Sequence, residues 1–102
     1  MPKQIKLHKR ERVAQILQAA LAIAPTVGYN RMTRDQIAAH CGIPSSLIAY
    51  HCGTMCDLRR AVMREAVRVE CLAVIAQGIV MGDRHAKRAS DDLRARAMGS
   101  VR

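Results

Sequence analysis

Apolar residues recur along much of this chain at intervals of three and four positions, the spacing that lines one face of an α-helix. The first such run falls at Val13, Ile16, Leu17, Ala20, Leu21 and Ala24. It predicts a first helix from about Lys9 to Ala24, with Pro25 helping to end it, because proline cannot donate a backbone hydrogen bond. Gly28, just beyond, can adopt the positive φ that closes a helix.

A short second helix is predicted next. Thr33 and Gln36 match a capping box, in which each side chain bonds the backbone N–H of the other residue. The helix is expected to run from Arg34 to about His40. It ends in a tight turn at Cys41-Gly42-Ile43, where the glycine takes the unusual backbone angle.

A third helix is opened by Pro44-Ser45-Ser46, because the missing N–H of proline would have no partner in a first helical turn. Its body is Leu47-Ile48-Ala49-Tyr50-His51-Cys52, and Gly53 ends it. Thr54 is then placed to cap a fourth helix, with Asp57 in the first turn, where a negative charge favours the helix dipole.

The fourth helix is predicted to be long, with apolar residues at Leu58, Val62, Val69, Leu72, Ala76 and Ile79. Near its end it is apolar on most sides, which would leave a lone chain with an exposed apolar surface. The simplest cover is a second copy, and the predicted dimerisation residues are Val69, Leu72, Ala76, Ile79 and Val80. The alternative is that the tail folds back, with a turn at Gly82-Asp83 and a fifth helix from Arg84 to Met98.

The composition supports one small all-α domain. The chain has 102 residues, half of them apolar, but no Phe or Trp and only two Tyr, so the core must be aliphatic. Good helix formers are abundant and strand-favouring aromatics are scarce. The expected organisation is a basic N-terminal arm over 1–12, a three-helix core over 9–57, and a helical dimerisation segment with a basic tail over 58–102.

The charge balance points to a polyanionic partner. Lys and Arg number 17 against 8 Asp and Glu, which gives a net charge of +9. Nucleic acid is the first expectation and an anionic membrane the second. The start, MPKQIKLHKRER, is unlike a secretory signal and indicates a cytoplasmic protein. The apolar run from Cys71 to Met81 is shorter than the roughly 18 to 20 residues that span a bilayer, so no membrane is expected.

The residues with metal or nucleophilic chemistry form no recognised site. Four cysteines, Cys41, Cys52, Cys56 and Cys71, are expected to be reduced thiols that pack as small apolar groups. Three of them lie close in sequence to His40 and His51, but no C-x-x-C pair is present. A glycine-rich phosphate loop is also missing. The sequence therefore predicts no metal, no cofactor and no enzymatic activity.

The segment from Thr33 to His51 has the layout of a helix-turn-helix: a short helix, a glycine turn, and a second short helix with polar residues at its start. In that motif the second helix lies in the major groove of DNA and the first braces it across the backbone. The basic character of the chain strengthens this interpretation.

In these segments the chain resembles the tetracycline-repressor (TetR) family of bacterial transcription regulators. The resemblance runs from about Arg12 to Val67, roughly half of the chain. It rests on Ile16-Leu17-Gln18-Ala19-Ala20-Leu21, Gly28-Tyr29, Thr33, Ile37-Ala38, Cys41-Gly42-Ile43, Leu47-Ile48-Ala49-Tyr50-His51-Cys52-Gly53-Thr54 and Asp57-Leu58.

The resemblance implies that some residues bind the DNA backbone and others contact the bases. Thr33 and Arg34 would approach phosphates at the start of the second helix, and Tyr50 and His51 would reach the DNA backbone. The base edges would be faced by Ser45, Ser46, Leu47 and Ala49. The third helix has no Arg, Asn or Gln for a bidentate base contact, so DNA shape is expected to contribute to specificity.

The chain departs from the family pattern at three places. Cys52 replaces a large aromatic residue, and Met55 and Cys56 stand where Lys and Glu are common. The lost phosphate contact is expected to come from other basic residues, including Lys9 and Arg10. Only about 35 residues follow Val67, too few to enclose a ligand cavity of the usual size, so no small-molecule effector is expected.

Together these patterns predict a sequence-specific regulator that binds double-stranded DNA, as a dimeric repressor on an inverted-repeat operator. Two alternatives stay open. The chain could be a helical adaptor or anti-repressor that uses a similar fold to bind protein, or it could activate transcription. A small regulator without a sensor domain also suits a phage or a plasmid.

Overall fold

The computed structural model describes residues 8–99 and folds them into α-helices, with no strand in that range. The helices are α1 (Lys9–Val27), α2 (Arg34–Cys41), α3 (Ser45–Cys52), α4 (Met55–Val69), α5 (Leu72–Met81), α6 (Arg84–Lys87) and α7 (Asp91–Gly99). The predicted all-α class is confirmed. Within the same range, no helix combines the length and apolar character needed to cross a bilayer.

The first three helices begin and end close to the predicted positions. The exception is Pro25, which lies inside the last turn of α1 and does not end it. The helix stops at Gly28, where φ is 98° and the N–H donates to the Ala24 carbonyl at 2.7 Å. Pro25 is tolerated because only the final turn follows it, so the helix loses little by the missing donor.

Two capping boxes start α2 and α4. At α2, the Gln36 N–H donates to Thr33 Oγ1 at 3.2 Å and the Thr33 N–H donates to Gln36 Oε1 at 2.9 Å, as predicted. At α4, Thr54 and Asp57 make the same exchange at 3.1 and 3.2 Å. The backbone and side-chain hydrogen bonds from Thr54 lower the pKa of Asp57, so the box favours the ionised carboxylate.

The long fourth helix predicted from the apolar pattern is wrong. The helix ends at Val69, because Glu70 adopts the left-handed conformation with φ 58°. The turn is stabilised by the Cys71 N–H, which donates to the Ala66 carbonyl at 2.8 Å. No Gly or Pro marks this position. The break allows α5 to turn back and pack against α4, which buries Val74 and Ile75 within the chain's own core.

The tail folds back over α5, as in the alternative considered from the sequence. The predicted fifth helix is two helices, α6 and α7, separated at Arg88–Ser90. Their buried residues are Ala86, Ala89, Leu93 and Ala97. A hydrogen-bonded ion pair between Arg96 and Glu70, at 2.9 Å, ties α7 to the break between α4 and α5.

The core is aliphatic apart from Tyr29, and all seven helices contribute to it, so the first three helices and the second half of the chain share one core. Gln77 of α5 joins these two halves, because its side chain accepts from the Tyr29 N–H at 2.9 Å and donates to the Ala24 carbonyl at 3.0 Å. The Tyr29 hydroxyl lies 3.4 Å from Asp83 Oδ2. Burial, followed by the charge of Asp83, raises the pKa of Tyr29, so the ring stays neutral at physiological pH.

Gly78 is required where α4, α5 and α6 meet. A Cβ added there would lie 2.4 Å from Met63 Cε and 2.7 Å from Ala86 Cβ. The methionine end can move, but Ala86 Cβ is fixed to the backbone of α6. We therefore expect Gly78→Ala to lower the free energy of unfolding by about 1 kcal/mol, because overpacking outweighs alanine's helix propensity.

Urea denaturation followed by circular dichroism measures this effect, and Gly99→Ala is the matched control. A Cβ at Gly99 meets nothing within 4 Å, so alanine there should leave stability unchanged or raise it by up to about 1 kcal/mol. Equal stabilities for the two variants would contradict the close packing at Gly78.

Candidate nucleic-acid interface

The turn between α2 and α3 fixes the position of α3. Gly42 adopts the left-handed conformation with φ 74°, and its N–H donates to the Ala38 carbonyl at 2.8 Å. The Ile43 N–H reaches the same carbonyl at 3.2 Å. Ile37 of α2 and Ile48 of α3 are both fully buried, so each helix is anchored by one side to the core beneath it.

The opposite side of α3 is open to solvent. Ser46 is exposed, and Tyr50, one helical turn later, is 79% exposed. The four other residues predicted in this helix are half-buried: Ser45, Leu47, Ala49 and His51. The outer side of α3 is therefore a polar ridge that no other part of the described chain covers.

Tyr50 and His51 are held against each other. Their ring centroids are 5.1 Å apart and the ring planes meet at 81°, an edge-to-face contact. His51 Nδ1 is shielded from solvent and has no hydrogen-bond partner among residues 8–99. Packing therefore orients the histidine, and no hydrogen bond to this nitrogen contributes.

Thr33 and Arg34 stand at the start of α2. The Thr33 oxygen accepts the capping hydrogen bond, which leaves its hydroxyl hydrogen able to donate to another group. Arg34 is half-buried, and within residues 8–99 its guanidinium forms no ion pair. Both side chains can therefore bind an anion beside the helix N-terminus.

Lys9 and Arg10 are exposed in the first turn of α1. The same half of α1 packs on the end of α2, where the Cys41 thiol donates to the Gln15 carbonyl at 3.9 Å. The two basic residues thus lie one to two helical turns before the contact with the α2–α3 unit. The rest of the predicted basic arm, residues 1–7, lies outside the described range.

The predicted dimerisation residues differ in burial and fall into three groups. Val80 and Val69 are 69% and 47% exposed, whereas Leu72 and Ile79 pack partly against the chain's own core. Ala76 is buried but lines an open apolar groove of about 390 Å³ between α5 and the loop that follows α1, where Gly28 and Asn30 form its other side. Met81, 56% exposed, also lines this groove and was missed, although it ends the same apolar run.

The cysteines are free thiols. Burial raises the pKa of both Cys41 and Cys52, which makes these two thiols poor nucleophiles at neutral pH. Among residues 8–99, no group of three or more His, Cys, Asp or Glu side chains is arranged to hold a metal ion.

Comparison of the chain with protein-family models, with curated proteins and with solved structures found no match. The resemblance to the TetR family therefore stays a prediction from the motifs quoted above.

Proposed function

We propose that this protein is a sequence-specific regulator of transcription that inserts α3 into the major groove of double-stranded DNA. The observation that supports this most is the two-sided character of α3. Ile48 anchors one side in the core, while Ser46 and Tyr50 project from the other. An α-helix with its side chains is about 10–12 Å in diameter, and the major groove is about 12 Å wide, so a single helix such as α3 fits within it.

The proposed contacts follow from side-chain chemistry. Thr33, Arg34, Tyr50 and His51 would bind phosphate oxygens and fix the orientation of the protein. The base edges would be contacted by Ser45, Ser46, Leu47 and Ala49. Serine hydroxyls can donate or accept, and the apolar side chains can touch a thymine methyl group. Lys9 and Arg10 would add phosphate contacts from α1.

A second copy of the chain is proposed to cover the groove on α5. Other parts of this helix pack against α1, α4, α6 and α7, so the apolar surface around Val80 and Met81 is the part that residues 8–99 leave uncovered. One copy of α3 reads only half of an operator, and a two-fold dimer would read both halves of an inverted repeat. Occupation of a promoter by such a dimer would repress transcription.

A salt titration tests DNA binding. The affinity for random duplex DNA should fall steeply and linearly on a log–log plot as salt rises, because bound phosphates release counterions. A specific site should remain about a thousandfold tighter or more than random sequence. An adaptor that binds only protein would show no affinity for duplex at low salt, and that result would exclude the proposed function.

Ser46→Ala should change which bases are preferred. Removal of one hydroxyl that bonds a base costs about 1 kcal/mol, or roughly fivefold in affinity, and only at the base pair it reads. Affinity for random duplex should not change. Binding to a set of operators with single base-pair substitutions measures this, with Thr26→Ala, an exposed residue of α1, as control. A uniform loss across all operators would contradict a base-reading role for Ser46.

A further inference from the structure

A second basic site lies on the other half of the molecule, where α6 packs against α4. Here an open cleft of about 440 Å³ is lined by Arg60, Asp83, Arg84, His85 and Arg88. A smaller depression beside it, of about 240 Å³, shares His85 and Arg88 and adds Arg64. The two adjoining depressions are thus lined by four arginines: two from α4, one from α6, and Arg88, which follows α6. None of the cleft residues belongs to α2 or α3.

The positive charge of this cleft is poorly compensated from within. Asp83 is its one acidic lining residue, and both of its oxygens are occupied. Oδ1 accepts from the N–H groups of His85 and Ala86 at 2.9 and 3.2 Å, and Oδ2 accepts from Tyr29 at 3.4 Å. Asp83 therefore acts as the cap of α6 and the anchor of Tyr29.

The arginines themselves lack counter-ions. Within residues 8–99, no carboxylate forms an ion pair with Arg64, Arg84 or Arg88. Arg60 approaches Asp57 only at 3.9 Å, with both side chains more than half exposed, so that pair contributes little. By contrast, Arg68, Arg94 and Arg96 are each paired with a carboxylate on the surface.

We propose that this cleft binds a small anion that carries two or more phosphate groups. Guanidinium groups offer planar, paired donors that match phosphate oxygens, and arginine keeps its charge at all physiological pH values. A volume of about 440 Å³ falls in the range of small-molecule sites. Because the arginines surround a hollow, the site suits a compact ligand better than a rod-like duplex.

From the sequence, no small-molecule effector is expected, because no enclosed ligand cavity of the usual size is predicted. An open arginine-lined cleft holds an anion by charge and needs no enclosure. The sequence does not reveal it, because Arg60 and Arg84 are brought together only by the packing of α6 on α4. The proposal is independent of DNA binding by α3.

Isothermal titration of the full chain with inorganic tripolyphosphate tests the proposal. The double variant Arg84→Gln/Arg88→Gln should bind tripolyphosphate at least tenfold more weakly than the unchanged protein. The control is Arg68→Gln/Lys87→Gln, which removes the same number of charges outside the cleft and should bind within twofold of the unchanged protein. Circular dichroism melting of each variant verifies that the fold is retained.

Three results with tripolyphosphate would overturn the proposal: no binding at millimolar concentration, equal losses in the two double variants, or an unchanged affinity in Arg84→Gln/Arg88→Gln. A parallel titration with duplex DNA shows whether the cleft binds a small polyphosphate or the phosphates of the DNA backbone. If that variant loses duplex affinity as strongly as tripolyphosphate affinity, the cleft holds the DNA backbone, and a small anion is not its ligand. If that variant loses affinity for tripolyphosphate but keeps its affinity for duplex DNA, the proposal is supported. This outcome does not depend on whether α3 binds DNA.

Discussion

Val80→Glu is expected to turn a dimer into a monomer and to lower the affinity for an inverted-repeat operator by about a hundredfold. Val80 is 69% exposed and lines the apolar groove on α5. In a two-fold dimer, glutamate at this position would bury one carboxylate from each copy in an interface without water. The fold of each chain should persist, because this side chain is already in solvent. Sedimentation equilibrium gives the mass, and fluorescence anisotropy with a labelled operator gives the affinity.

Met98→Glu is the matched control for this experiment. Met98 is an exposed apolar residue on α7, 42% exposed, that does not line the groove. The same change of charge there should leave the dimer intact. A monomeric unchanged protein, or a Val80→Glu variant that still dimerises, would contradict the proposed interface.

Tyr50→Ala is expected to weaken binding to every duplex by about tenfold, because a hydrogen bond to a charged phosphate contributes about 1.5 kcal/mol. The loss should be the same for specific and random DNA, since phosphates carry no sequence information. Anisotropy titrations with both duplexes at one salt concentration measure it. Tyr50 is 79% exposed, so its truncation should not disturb the core.

Tyr50→Phe separates the hydroxyl from the ring. The phenylalanine retains the edge contact with His51 and loses only the donor, so its affinity should fall almost as far as that of Tyr50→Ala. His51→Ala should likewise weaken binding to all sequences. Unchanged affinity in Tyr50→Ala would mean that the outer side of α3 does not approach the DNA backbone.

The first three helices could be predicted from the sequence because their boundaries are set locally. The Thr33–Gln36 capping box and the positive φ of Gly28 and Gly42 depend on residues within four positions of one another. The exposed side of α3 could also be predicted, since Ile48 and Tyr50 differ in polarity and lie on different sides of one short helix.

The second half could not be predicted in the same way because tertiary packing decides it. The apolar pattern continues through Glu70 without a breaker, yet the chain turns there. An uninterrupted helix would have exposed Val74 and Ile75, which are buried after the turn. The ion pair between Glu70 and Arg96 could not be predicted either, because the two residues are 26 positions apart in the sequence. The groove on α5 and the cleft beside α6 depend on the same long-range packing.

Selection of bound duplexes from a random pool tests the central claim most directly. If α3 reads DNA as a two-fold dimer, the selected duplexes should converge on an inverted repeat whose half-sites lie about 10 base pairs apart, centre to centre. The Ser46→Ala variant should select a repeat that is altered within each half-site. A pool that gains no shared sequence over successive rounds would contradict the claim that this helix recognises DNA.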